Sequence, residues 1–105
     1  MKESDIQKTI LDGLAAKRIW AFRLNTGTAR IGTRFFRAHT LGKGAADILA
    51  FPSGGVFWIE CKTAEGKASL EQDSFAQKAR SEGHVYLLAR SWDDVESTLR
   101  VVFGL

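Results

Sequence analysis

Residues 47–62 read DILAFPSGGVFWIECK. Two apolar runs flank Pro52-Ser53-Gly54-Gly55, four residues of turn chemistry. The stretch predicts an antiparallel hairpin, with strands at 47–51 and 56–62 and a loop at 52–55. In that register Phe51 faces Val56, Leu49 faces Trp58 and Asp47 faces Glu60. Side chains alternate faces along a strand. Lys62 therefore shares the face of Glu60, and Cys61 turns to the opposite face with Ile59. The Cβ atoms of Asp47 and Glu60 would lie about 5 Å apart. Two adjacent carboxylates repel each other unless a cation sits between them.

The 105 residues suit one domain, 1–105, with a modest core near the size where dimerisation often helps. Apolar content of 45% and charged content of 26% are those of a globular chain. No apolar run is long enough for a membrane span, and the start, MKESDIQKTI, lacks the apolar segment of a signal peptide. The single cysteine excludes a disulfide framework and a Cys/His zinc cluster. A cytoplasmic location is the expectation.

The net charge of +3 says less than its distribution. No acid occurs between Asp12 and Asp47, whereas Lys17, Arg18, Arg23, Arg30, Arg34, Arg37 and Lys43 do. So one-sided a block suits a polyanion. Arginine dominates it, and its planar fork matches phosphate oxygens.

Along the chain, Ile6, Ile10, Leu11 and Leu14 recur at helical spacing and predict a helix over 3–17. Ser4-x-x-Gln7 offers a capping box. Glu3 and Gln7, four apart, lie on one edge of the stripe; Glu3 would either complement the helix start or aim at a site. Ile19–Asn25 alternates as a strand. Thr26–Gly44, rich in Gly and Arg, predicts a functional loop or short hairpin with a β-like island at 33–37. After the 47–62 hairpin, Ser69-x-x-Gln72 opens a second helix with Gln72, Phe75, Ala76 and Ala79 inward, closed by Gly83. His84–Arg90 forms a strand. Ser91 caps a last helix with Trp92, Val95 and Leu99 on one face. Val101–Phe103 is expected as an edge strand or a packed tail. The order α-β-β-β-α-β-α describes an α/β domain: a mixed central β-sheet flanked by helices on both faces, with a parallel crossover from the 56–62 strand to the 84–90 strand.

Phosphodiester hydrolysis needs a polarised phosphate, an activated water and stabilised negative charge. Mg²⁺ is held by one or two carboxylates and keeps several waters. Asp47 and Glu60 meet that demand, with the backbone carbonyl of Cys61 beside them as a further ligand. Lys62 would orient or deprotonate the water, or stabilise the developing charge. Asp, Glu and Lys on one face would equally suit a surface salt-bridge cluster. The adjacent glycine loop and arginine block favour chemistry. The Cys61 side chain is expected in packing, not as a nucleophile, and His39 and His84 do not form a metal pair.

Asp47, twelve intervening residues and Glu60-Cys61-Lys62 resemble the D…(D/E)-x-K core of the PD-(D/E)xK nucleases, which have a restriction-endonuclease-like fold. Glu3 with Gln7, Arg23-Leu24-Asn25-Thr26-Gly27, Gly42-x-Gly44-x-x-Asp47, Gln72, and Gly83-His84-Val85 are similar to the VRR-NUC branch. Ala46 departs from the pattern, where many members have proline. The resemblance implies a Mg²⁺- or Mn²⁺-dependent DNA endonuclease. Glu3, Asp47 and Glu60 would arrange the metal, Lys62 would serve the water and transition state, and Gln72 would assist. Arg23, Asn25, Arg30, Arg34, Arg37 and Lys43 are the expected DNA contacts. Compact members of this kind, often viral, resemble Holliday-junction resolvases and act as homodimers on branched DNA, in a bacterial cell or phage-infected host. A flap-type or less selective nuclease, or a non-catalytic nucleic-acid-binding module, are the alternatives. Trp20, Phe35, Phe36, Trp58, Trp92 and Phe103 are the aromatics from which a dimer interface would be drawn.

Overall fold

The computed structural model describes residues 1–24, 28–31, 34–37 and 43–105, the two short middle segments by backbone alone. The elements in chain order are α1 (Glu3–Ala16), β1 (Trp20–Arg23), β2 (Thr28–Ile31), β3 (Arg34–Arg37), β4 (Ile48–Phe51), β5 (Phe57–Cys61), α2 (Leu70–Ser81), β6 (Val85–Ala89) and α3 (Trp92–Val102).

β1, β4, β5 and β6 form a mixed sheet in that spatial order. β1 and β4, and β4 and β5, pair antiparallel; β5 and β6 pair parallel through α2. The hairpin register is the expected one: Leu49 opposes Trp58, flanked by Ile48–Ile59 and Ala50–Phe57. Its loop is a short 3₁₀ turn at Pro52–Gly54, where Ser53 and Gly54 take φ of 50° and 81°. The Pro-Ser-Gly-Gly sequence supplies both the fixed φ and the left-handed freedom this needs.

The period of two divides the sheet residues between two cores. On one face Ile48, Ala50, Phe57, Ile59, Cys61 and Ala89 pack against Ile6, Ile10 and Leu14 of α1 and Val95 and Leu99 of α3. On the other, Trp58 and Tyr86 pack under Ala76 and Ala79 of α2, with Ala46, Leu49 and Phe75. Because Ile10 is fully buried at the centre of the first core, Ile10→Ala should lower unfolding free energy by about 2–5 kcal/mol, read as a shifted urea midpoint at unchanged slope.

Of the two readings of the segment after β1, the short hairpin is the one that forms: β2 and β3 pair as a separate two-stranded antiparallel unit, with Arg30 opposite Phe35 and Arg34 opposite Ile31. Other expectations need correction. Helix α1 is not capped by Ser4 and Gln7. Its cap lies two residues earlier, at Lys2, whose amide donates to the Asp5 carboxylate at 3.0 Å, and Gln7 is buried. No strand forms at 101–103: Val101 and Val102 continue α3, and Phe103 packs on Phe57 at 5.4 Å between ring centroids. The other helix ends follow their sequence signals. Ser91 Oγ accepts from the Asp94 amide, and Gly83 closes α2 at φ 82°. The α1 terminus makes the same reversal with Arg18 at φ 59°, Arg18 N–H donating to Ala15 O and Ile19 N–H to Leu14 O.

Candidate active site

Asp47 immediately precedes β4 and Glu60 lies near the end of β5, so the register sets them side by side on the α2 face. Both are buried, 3% and 2% exposed. The backbone holds the first: the Cys61 N–H donates to Asp47 Oδ2 at 2.8 Å, and Asp47 O accepts from the Leu24 amide at 2.7 Å, tying it to β1. A helix holds the second. Gln72 Nε2 donates to Glu60 Oε2 at 2.9 Å.

Gln72 is fixed for that task by the start of α2. Its Oε1 accepts from the Ser69 amide at 2.9 Å and its own amide donates to Ser69 Oγ at 3.1 Å, a complete capping box. One side-chain amide thus caps the helix with its oxygen and orients a carboxylate with its nitrogen. The turn between Lys62 and Ser69 is held in turn by the Arg90 guanidinium, which donates to the carbonyls of Thr63, Ala64 and Gly66.

Lys62 continues the row, its Nζ 3.8 Å from Glu60 Oε2 and largely shielded from solvent. Burial, followed by the negative charge of Asp47, pushes the Glu60 carboxyl up from 4.5 to about 8, against the opposing pull of Lys62. Glu60 Oε1 is buried with no hydrogen-bond partner. Leaving a buried acceptor in that state costs about 1–3 kcal/mol for a neutral group and more for a charged one. The position therefore asks for a proton or a cation. The donors are hard oxygens, which suits Mg²⁺ or Mn²⁺ and not a thiolate-loving ion.

Glu3 is half-buried in the first turn of α1, and its charge adds to the rise at Glu60. Among the described residues, though, no three Asp, Glu, His or Cys side chains gather into one metal cage, so the structure brings Asp47, Glu60, Lys62 and Gln72 together and leaves Glu3 at the edge. The Cys61 side chain is in the core as expected, with its thiol pushed up to about 12 by burial and the nearby carboxylates; it is no nucleophile. Its amide, not foreseen from sequence, holds Asp47. Arg23, at the end of β1, and Lys43, four residues before Asp47, are exposed. Arg30, Arg34 and Arg37 belong to the β2–β3 hairpin by backbone, while Asn25, His39 and Gly42 lie outside the described residues.

Two solved structures share this fold. One, described as a VRR_NUC domain, superposes with a TM-score of 0.72 at 19% identity, covering 95% of this chain and 96% of its own. Another, a VRR_NUC domain protein, gives 0.65 at 19% identity over 100% of this chain and 90% of its own. The chain has the fold of a VRR-NUC domain. Comparison of the sequence with family models and with curated proteins gives no match. At this identity the likeness is carried by architecture: a restriction-endonuclease-like mixed sheet with helices on both faces.

Within the VRR-NUC fold, two residues outside the acid pair have roles that the sequence did not announce. Gly44, at φ 80°, lies against the first turn of α2; a Cβ there would fall 2.2 Å from the Glu71 carbonyl oxygen and 2.7 Å from the Gln72 amide nitrogen. His84 Nδ1 accepts from the Trp58 indole N–H at 2.9 Å, locking Trp58 beneath α2 beside Phe75. Trp58 is thus interior and not an interface aromatic. Trp92 packs on the first core against Gly13, and Phe103 on Phe57. Of the aromatics named from sequence whose side chains are described, only Trp20 is open to solvent. No helix of the described residues is long and apolar enough to cross a membrane.

Proposed function

We propose that this chain is a Mg²⁺- or Mn²⁺-dependent DNA endonuclease acting on branched DNA. The observation that carries the reading is the buried Asp47–Glu60 pair, one of whose oxygens has no donor. Asp47 and Glu60 would hold the cation, with the Cys61 carbonyl and Glu3 as further candidate oxygens. Bound there, a divalent cation would supply Lewis acidity at the phosphate and acidify a water.

The chain's own groups do the rest. The Cys61 N–H and Gln72 Nε2 hold one oxygen of each carboxylate, so the acids cannot rotate away from their shared side. Trp58, buried, and the half-buried Leu49 beside α2 lower the local dielectric and strengthen each charge contact. Lys62 Nζ, beside Glu60, stands where it would orient the attacking water or take part of the charge that develops on the phosphate oxygens. The acid-free segment with Arg23, Arg30, Arg34, Arg37 and Lys43 would bring the DNA backbone to them.

Labelled four-way junction, flap and linear duplex, each incubated with Mg²⁺ or Mn²⁺, test the reading and its substrate preference together. Wild type should cut the junction fastest. Asp47→Asn and Lys62→Ala should each cut more than about a hundredfold more slowly, with junction affinity changed only a few-fold. Wild-type rates from Asp47→Asn would remove the acid pair from the chemistry. Preference for the flap, or equal cutting of all three, would replace the branched-junction part. For the basic segment, Arg30→Ala and Arg34→Ala should each flatten the log–log salt dependence of binding by about one. An unchanged slope would take β2 and β3 off the DNA.

A further inference from the structure

The sheet face that carries the acid pair is only partly covered. Helix α2 packs over Trp58 and Tyr86 of β5 and β6, with Leu24 and Leu49 at its margin; farther along β1 and β4 on the same face, Trp20 and Phe22 are exposed and Phe51 half-buried. Register places Trp20 beside Phe51 and Phe22 beside Leu49. Trp20, Phe22 and Phe51 form a contiguous ring cluster, with centroids 4.9 Å (Trp20–Phe22), 5.3 Å (Trp20–Phe51) and 6.2 Å (Phe22–Phe51) apart. Trp20 is 66% exposed and Phe22 40%. Burying such rings is the default in a small domain. Their exposure as a cluster, on the face of the candidate active site, calls for an occupant.

We propose that Trp20, Phe22 and Phe51 form a platform on which unpaired nucleobases stack, so that the enzyme engages DNA with a single-stranded or unstacked segment beside the scissile phosphate. This rests on the nuclease reading for the identity of the polymer. Three features support it. Phe51 lies four residues from Asp47 on β4, about 13 Å along the strand, the length of about four stacked base steps. A chain threading the acid pair would cross the rings within a few nucleotides. The strand that carries the rings is also bounded by cations: Arg18 precedes β1 and Arg23 ends it, both exposed and neither ion-paired among the described residues, with Arg23 opposite Ile48 and so turned to the other face of the sheet. And every base presents a π-face, so aromatic rings beside a basic track form a sequence-tolerant site for single strands.

Charge favours a polynucleotide over a second copy of this chain. A twofold self-contact through the rings would set two copies of a basic segment against each other, with no acid between Asp12 and Asp47 to offset the charge. A phosphate backbone supplies that offset.

The test is binding of a fluorescein-labelled dT oligonucleotide of about ten residues, and separately of a duplex, by wild type, Trp20→Ala, Phe22→Ala and Trp20→Phe in EDTA. No cutting occurs in EDTA, so the result does not depend on activity. Trp20→Ala and Phe22→Ala should weaken oligonucleotide binding about tenfold or more, with duplex binding within about twofold of wild type and Trp20→Phe close to wild type. Circular dichroism and sedimentation accompany each variant. Unchanged oligonucleotide affinity in both alanine variants overturns the platform. So does a dimer that Trp20→Ala converts to a monomer, which would assign the rings to a self-interface. Failure of wild type to cut any DNA with metal present would count against the nuclease reading instead and leave the binding result standing.

Discussion

Glu60→Gln should make the metal-free protein more stable at pH 8–9 while abolishing cutting. Folding takes the Glu60 carboxyl from an ordinary value of 4.5 to about 8, first through burial and then through the charge of Asp47. Below pH 4.5 the group is neutral in both folded and unfolded chains, and Glu60 takes nothing from the stability of the fold. Between 4.5 and about 8 the unfolded chain releases the proton and the folded chain keeps it. Stability therefore falls across that window and levels off above it. Glutamine has no proton to lose. It removes the slope and should raise the unfolding free energy above pH 8 by on the order of a few kcal/mol, measured by urea denaturation in EDTA at pH 5, 7 and 9. Mg²⁺ or Mn²⁺ should stabilise wild type at pH 8 by mass action and leave Glu60→Gln unmoved. A variant equally or less stable than wild type at pH 9 would refute the account. A buried acid pair that weakens the fold is what a site retained for chemistry, and not for stability, should show.

Gly44→Ala is the second large effect, and it works at a distance from the acids. The residue has two constraints at once. Its φ of 80° is left-handed, which alone costs an L-residue about 1–2 kcal/mol. Its missing Cβ also makes room for the backbone of Glu71 and Gln72, at distances no real Cβ tolerates. Backbone cannot swing aside as a flexible side chain does, so the first turn of α2 must shift. That turn holds Gln72 in its capping box and presents Nε2 to Glu60. Gly44→Ala should therefore lower stability by at least about 2 kcal/mol and also reduce cleavage in protein that is still folded. Gln72→Ala separates the two parts: it should lose the cap, for about 1 kcal/mol, and the contact to Glu60, while leaving the backbone in place. If Gly44→Ala kept wild-type stability and cleavage, the packing of the 43–46 segment on α2 would have no functional role.

Much of the sheet was legible because its rules are local. Period-two alternation and the Pro-Ser-Gly-Gly turn set the Leu49–Trp58 register, and from that register alone Asp47 and Glu60 had to be neighbours. Ser69 and Gln72 announced their capping box three residues apart. Weaker local signals were misread. The cap of α1 formed at Lys2, with the Asp5 carboxylate reaching back to its amide, and not at Ser4, because an acid three residues on meets the same rule as Gln7 does. Val101 and Val102 have β propensity, but α3 simply ran on through them. The β2–β3 pairing was only one of two options while glycines and arginines obscured the alternation.

What the sequence determined was therefore the acid pair, its lysine and the face they share, since these follow from strand periodicity within sixteen consecutive residues. The tertiary structure decided which groups meet them: Gln72 as the ligand of Glu60, the Cys61 amide as the anchor of Asp47, Gly44 as the seat of α2, and Glu3 at the margin. It also decided that Trp58 is covered and Trp20 is not. The two tryptophans sit in similar alternating strands, and nothing local distinguishes them. The difference is that the crossover from β5 to β6 lays α2 over Trp58, while Trp20 sits on β1 at the far edge of the sheet, away from α2. Such placement depends on contacts between residues far apart in the chain, where local periodicity carries no information.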